Sequence, residues 1–388
     1  MPGAPEGQGE SSMGHVTQGD RNARRRRLRR LVVVFCVVGM ATVSAVFLLK
    51  LAEPKFYRVV TLPSHGGQPF RPFAMNDHGQ IVGLVTRASG GSGVALWDRE
   101  QGIRELGIAC DDGPLSINDL GQIAGVMIDP NGGTRAFRWD PQAGLTPLGQ
   151  QGCRAFAINN RGQVVGDSGI NTGQCHAHIW ERTGAVRDLN PPDAWGSLAQ
   201  HVNDSSQVLG LFGLEGHPCL WDLADPNSPD GMALPDEGDP YYSDLNNGGY
   251  VLCEMFRPAP AEVSGAWPQK YAVLWHKDRD LTWLFPLADT DCWLVDLNDA
   301  NQVVYCETHR SILANWFPRW FSPRDRLFLW DPTRGKIPLD GYLNLGRGDS
   351  FLFRDLNNRG CLVGTVMSSK GVQKRAVLLE PIAGKWRE

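Results

Sequence analysis

The chain has 388 residues, with 38 Lys and Arg against 42 Asp and Glu, and 45 Gly and 26 Pro. Nearly balanced charge excludes the broad basic surface of a nucleic-acid binder. Gly and Pro are spread between short apolar runs, which marks dense turns rather than a disordered low-complexity chain.

Taken from the start, residues 1–20 are rich in Gly, Ser, Gln and Glu, with little to bury, and are expected to be disordered. Arg21 to Arg30 (RNARRRRLRR) carries seven Arg and abuts the uncharged run LVVVFCVVGMATVSAVFLL, Leu31 to Leu49. Nineteen residues at about 1.5 Å each nearly cross a hydrocarbon core of about 30 Å. The Arg-rich flank holds that end in the cytoplasm. The expectation is a cytoplasmic tail over residues 1–30, a transmembrane signal-anchor helix over 31–50 and an extracytoplasmic domain over 51–388. A cleaved signal peptide is the rival reading. Cutting near Ala41, Ser44 or Ala45 would leave Val46-Phe-Leu-Leu49 at the mature N-terminus, which favours the uncleaved anchor.

A short phrase then recurs seven times: Asn-Asp/Asn-x-Gly-x followed by apolar residues. Its copies begin at Asn76, Asn118, Asn159, Asn203, Asn246, Asn298 and Asn357. A Trp follows in six of them, at Trp97, Trp139, Trp180, Trp221, Trp275 and Trp330, with Leu379 in its place in the seventh. A repeat of about 40–45 residues containing several short strands is the signature of β-propeller blades. In the third copy, strands are expected at 154–159, 163–168, 176–181 and 185–190, each short, apolar and bounded by Gly, Asn, Asp or Pro. The fold expected is therefore all-β: a seven-bladed propeller of four-stranded blades, preceded by one N-terminal transmembrane helix. The fourth turn position is Gly79, Gly121, Gly162, Ser206, Gly249, Asn301 and Gly360, which suits a positive φ everywhere except at Ser206. The Asn reads as turn chemistry, and the Trp as packing between neighbouring blades. The seventh unit ends RAVLLEPIAGKWRE, with little sequence for a fourth strand. FYRVVTLP, Phe56 to Pro63, looks like the fourth strands IRELG and LTPLG and is expected to complete that blade, removing its exposed edge.

The pattern SINDLGQIAG…RAFRWDPQAGLTPLG of copy two and AINNRGQVVG…HAHIWERTGAVRDLN of copy three resembles the bacterial HAF repeat, over residues from about Phe73 onward. Copies five to seven drift, with Cys253 and Tyr305 replacing the second Gly. The resemblance implies an extracellular propeller-like repeat and assigns no reaction.

Cys36 lies in the apolar run, leaving eight cysteines in the outward part. One or two disulfides are possible in an oxidising compartment, as are buried free thiols. No phosphate-cradling loop, HExxH, Gly-x-Ser-x-Gly or Cys-x-x-Cys is present, so neither a catalytic residue, a metal nor a cofactor is assigned. His176 and His178 read as a variant of the repeat's triplet rather than as ligands.

The departures from the repeat carry the functional expectation. Asn to Trp spans 21 residues in the first three copies but 29 in the fifth and 32 in the sixth, by subtraction of the positions above. The sixth insertion contains Trp316, Phe317, Arg319, Trp320 and Phe321. Connections between blades add Trp195, Tyr241, Tyr242 and Trp293, with Asp236, Glu237, Asp239, Asp289, Asp291 and Asp349 beside them. In a propeller these segments share one face, and loops on a rigid scaffold commonly carry function. The expectation is a binding or scaffold module for an envelope protein or a glycan, held to the membrane by its N-terminal helix, without nucleic acid. The alternative is an envelope hydrolase or lyase with a pocket on the loop-rich face.

Overall fold

The computed structural model describes residues 56–168, 174–191, 194–213, 215–225, 231–235, 241–257, 269–287, 292–309, 324–346 and 348–382. The transmembrane expectation lies outside these residues; among them no helix is long and apolar enough to cross a membrane. The unit beginning at Phe56 is a seven-bladed β-propeller of four-stranded antiparallel blades.

Blades 1–6 each run in sequence order from an innermost to an outermost strand. Blade 3 consists of Arg154–Ile158, Val164–Asp167, Ala177–Trp180 and Val186–Asp188, within the spans expected from its sequence. The innermost strands of the other blades are Arg71–Met75, Leu115–Ile117, Ser197–Val202, Tyr241–Leu245, Cys292–Leu297 and Ser350–Leu356, for blades 1, 2, 4, 5, 6 and 7. The seventh blade is closed by the N-terminal strand: Tyr57–Thr61 pairs antiparallel with Gln373–Pro381, from Tyr57↔Pro381 to Thr61↔Val377. Buried Tyr57 seals the joint by donating its hydroxyl to the Gly360 carbonyl at 3.0 Å. Among the described residues the sole α-helix is the single turn Asp340–Leu343.

The core is divided among the seams between blades. Trp221 lies with Val165, Ala177 and Ile179 of blade 3, and Trp97 with Val363, Ala376 and Leu378 of blade 7. Each third-strand Trp thus fills the groove against the preceding blade, and Leu379 does the same beside Val304, Leu327 and Leu329 of blade 6. This partition also settles the cysteines. All eight in the described unit are thiols outside any disulfide. Seven of them, Cys110, Cys153, Cys219, Cys253, Cys292, Cys306 and Cys361, belong to seven different clusters, so the disulfides left open by the sequence do not form. They pack as small apolar side chains, and burial pushes the Cys219 and Cys253 thiols up to about 12.

Candidate functional site

The recurring Asn does more than make turns. Its Oδ1 accepts the amides two and four residues on, as Asn118 does from Leu120 at 3.1 Å and Gln122 at 2.9 Å. Its Nδ2 reaches the carbonyl of the equivalent Asn in the next blade, at 2.8–3.2 Å in all seven blades. The circuit runs Asn76, Asn118, Asn159, Asn203, Asn246, Asn298, Asn357 and back to Asn76. All seven are 2–5% exposed, so a lost partner would leave a buried polar group unsatisfied.

The following residue draws a second ring. Asp77, Asp119, Asn160, Asp204, Asn247, Asp299 and Asn358 each accept, through Oδ1, the equivalent backbone amide of the preceding blade at 2.7–2.8 Å. Together the two rings bound a polar axial mouth of about 190 Å³. Asn160 donates to Asp119 and Asp204 at 3.0 Å each, spreading an amide between carboxylates. Asp77 and Asp119 are neighbours without an intervening amide; burial, then the charges of Asp119 and Asp299, raise the Asp77 carboxyl above the usual range.

The Asp of the Trp-Asp phrase belongs to the same scaffold. Gln122, Gln207 and Gln302, four residues after their Asn, donate to Asp140, Asp222 and Asp331 at 2.6, 3.1 and 2.7 Å. Ser206, the misfit of the sequence pattern, does take φ +63°. Its hydroxyl donates to Gln163 Oε1 of the preceding blade at 2.9 Å, a bond that Gly at this position could not make.

Above the mouth the channel wall is asymmetric. In six blades a β-bulge separates the position four before the Asn from the position two before it. These two positions pair with consecutive residues of the second strand and so face opposite sides. The position five before the Asn therefore shares its side with the position two before it. In blades 1–3 the latter is Ala74, Ser116 and Ala157; in blade 4 it is His201; in blades 5–7 it is Asp244, Asp296 and Asp355. Each Asp staples its own blade to the next. Asp244 accepts the Leu297 amide at 2.8 Å, Asp296 the Leu356 amide at 2.8 Å and Asp355 the Met75 amide at 2.5 Å.

The carboxyls also touch one another. Asp296 is hydrogen-bonded to both Asp244 and Asp355, and His201 Nδ1 lies 2.9 Å from Asp244 Oδ1. Hydrogen bonds between carboxyls require protons, and three like charges in contact cannot all ionise freely. Burial, then repulsion from Asp244 and Asp355, pushes Asp296 well above the carboxylate range. Burial raises Asp355 to about 7. For Asp244 burial acts upward too, but the charge and hydrogen bond of His201 prevail and hold it low. Among the described residues no trio of His, Cys, Asp or Glu is arranged to hold a metal ion. The hydrogen bonds among the carboxyls make the row a proton-sharing chain.

Above the acids the same three strands carry Tyr241, Trp293 and Leu352, which are 60%, 43% and 43% exposed. The equivalent positions in blades 1 and 3 are Arg71 and Arg154, tied down by Asp112 and Asp167. Trp195, just before the innermost strand of blade 4, is 53% exposed. Of the aromatic residues marked in the sequence, the structure thus brings Trp195, Tyr241 and Trp293 out at successive blades. Tyr242 turns the other way: it packs against the cores of blades 4 and 5, and its hydroxyl donates to the Pro235 carbonyl. Trp316, Phe317, Arg319, Trp320 and Phe321 lie outside the described residues, as do Asp236, Glu237, Asp239, Asp289 and Asp291. Asp349 is held by Lys374 at 2.7 Å. His176 pairs with Asp188 at 2.8 Å and His178 stacks on Trp180, consistent with a structural triplet.

The axial row was missed in the sequence, although a signal was present. Copies five to seven read Asp-Leu-Asn where copies one to four read Ala-Met-Asn, Ser-Ile-Asn, Ala-Ile-Asn and His-Val-Asn.

No family model matches the chain, and no curated protein matches it. Among solved structures, the β-propeller domain of the Trilobed protease from Pyrococcus furiosus is similar with a TM-score of 0.51 at 9% identity, over 84% of this chain and 95% of that one. That domain is described as having an open velcro topology, whereas here the N-terminal strand closes the last blade. A virginiamycin B lyase from Staphylococcus aureus aligns at TM-score 0.46 and 10% identity, over 84% of this chain and 100% of that one. The BP39L lectin from Burkholderia pseudomallei aligns at 0.39 and 10%, over 80% and 96%. At these identities the likeness is one of fold.

Proposed function

We propose that this chain is a membrane-anchored, extracytoplasmic binding module that engages an envelope protein or a glycan through the open face of blades 4–7. The observation that carries the reading is the arc of Trp195, Tyr241 and Trp293, large aromatic side chains left exposed at the entry to three successive innermost strands. Such rings gain nothing for the fold by standing in water, and Trp and Tyr are frequent interaction hot spots. Kinship with the HAF repeat and the anchor at residues 31–50 are parts of the same proposal, resting on the sequence. The test uses the full-length chain with Trp195, Tyr241 and Trp293 changed to Ser, titrated with soluble glycan oligomers and with purified envelope proteins. A fall in affinity of tenfold or more at unchanged melting temperature supports the reading. Unchanged binding by a protein that does bind would remove this face from it.

A second reading, an envelope hydrolase, rests on the axial row. Asp355, which holds its proton up to about 7, stands two carboxyls away from Asp244, which stays ionised. Two acids with separated proton affinities are what general acid–base hydrolysis needs. Turnover of a glycoside or peptide substrate that disappears in Asp355→Asn would favour this reading over simple binding.

A further inference from the structure

We propose that the row His201–Asp244–Asp296–Asp355 is a proton-operated latch on the ring: with its protons it binds blades 5, 6 and 7 together, and without them the seams on either side of blade 6 loosen. The geometry is specific to those seams. Each Asp holds the amide of the following residue in its own strand: Leu245 at 2.7 Å, Leu297 at 2.9 Å and Leu356 at 3.1 Å. Each also holds an amide of the next blade, and the last of these links, Asp355 to Met75, joins blade 7 to blade 1. Blade 7 is the one blade assembled from both ends of the described chain, with Tyr57–Thr61 beside Gln373–Pro381, so a weakened seam there acts where closure depends on strand pairing.

The charges around the row leave little to neutralise a second carboxylate. From blade 4, among the described residues, His201 is the group that reaches it. Blades 2 and 3 present Ser116 and Ala157 at the matching position, and blade 1 presents Ala74. Arg154 is engaged with Asp167 and Arg71 with Asp112. Arg354, next to Asp355 in sequence, lies over the Phe73 ring at 4.9 Å, and its Nε is without a partner. The turn ring beyond the row adds Asp77, Asp119, Asp204 and Asp299, all of the same sign. Losing the shared protons therefore replaces carboxyl–carboxyl hydrogen bonds with repulsion across two seams.

The sign follows from linkage. Asp296 and Asp355 bind protons more tightly folded than unfolded, so the stability they lend is complete at acid pH, below the unfolded carboxylate value near 4. It is lost as pH rises through the folded values, about 7 for Asp355 and raised likewise for Asp296. Asp244 has the opposite sign and does not contribute to this loss.

The test is hydrogen exchange of the full-length chain from pH 5.5 to 8.5, corrected for intrinsic exchange. Peptides covering residues 293–298 and 351–358 are compared with those covering 115–119 and 154–160 in the same molecule. The first pair should open more readily as pH rises, by up to about tenfold per pH unit for each proton lost, while the second pair stays level. Asp296→Asn and Asp355→Asn should each flatten that slope, and Asp188→Asn, outside the row, should not. Equal slopes in both halves of the ring, protection that grows with pH at blades 6 and 7, or a slope that survives both substitutions would each overturn the latch. If one variant fails to fold, the other and the unaltered protein still decide it.

Discussion

Blades 1–3 and blades 5–7 are built on the same skeleton and line the axis in opposite ways. Both halves carry the Asn circuit, and Asn118 and Asn298 accept the amides two and four residues on at the same 3.1 and 2.9 Å. Yet the wall of the first half is Ala74, Ser116 and Ala157 beneath paired arginines, while that of the second is Asp244, Asp296 and Asp355 beneath exposed Tyr241, Trp293 and Leu352. The difference separates two kinds of polar residue in one molecule. The turn Asn is buried in every blade and bonded to the next blade all round the circuit, as a part needed to close a ring must be. The axial acids stand on three adjacent blades, and two of them, Asp296 and Asp355, carry protons they would shed in water, which a skeleton does not require.

The comparison can be broken most forcefully at the joint where the halves meet. Deleting residues 56–63 removes the strand that covers Val377 to Pro381, and should cost on the order of 5 kcal/mol or abolish cooperative unfolding. A melting temperature within a few degrees of the parent would show that closure is not structural.

The shared skeleton predicts equality. Asn118→Ala and Asn298→Ala, one in each half, should each lower unfolding free energy by about 2–3 kcal/mol in denaturant titrations, because each strips four hydrogen bonds from a buried turn. A gap of more than about 1 kcal/mol between them would mean that the halves differ in skeleton too.

Moving an acid across the axis sharpens the contrast. Ser116→Asp introduces a carboxylate flanked by Ala74 and Ala157, with neither His201 nor a second carboxyl to share its proton. It should cost about 1–3 kcal/mol at pH 7 and less at pH 5. Within the row itself, Asp244→Asn should cost about 1–2 kcal/mol at pH 7. The depressed acid contributes its stability above the unfolded value, so the loss should shrink as pH falls through 4 and below. A cost that grows in acid would reverse the assignment of which carboxyl carries charge.

The smallest effects on stability belong to the exposed face. Tyr241→Ser with Trp293→Ser should move unfolding free energy by no more than about 0.5 kcal/mol while lowering ligand binding. The same outcome is expected when Trp316, Phe317, Trp320 and Phe321 are changed to Ser, and a large loss of stability there would assign those rings to the core.

The sequence by itself determined the fold. Turn residues recur at fixed offsets, and local φ requirements are legible residue by residue, down to Ser206 and Asn301 taking the left-handed conformation that the pattern demands. The Trp and the closing strand were legible for the same reason, since each repeats a pattern whose partner lies one blade away. What a side chain meets across the axis is not written in any repeat. His201, Asp244, Asp296 and Asp355 stand 43, 52 and 59 residues apart by subtraction, and only closing the ring and bulging each inner strand turns them onto one wall. Tyr241 and Tyr242 are adjacent in sequence, yet strand parity sends one to solvent and the other into the seam. Separate seams likewise keep the cysteines apart, because seven of the eight pack into seven different clusters. Local chemistry therefore specified the blades, and the proton-sharing axis came into being only when seven of them met.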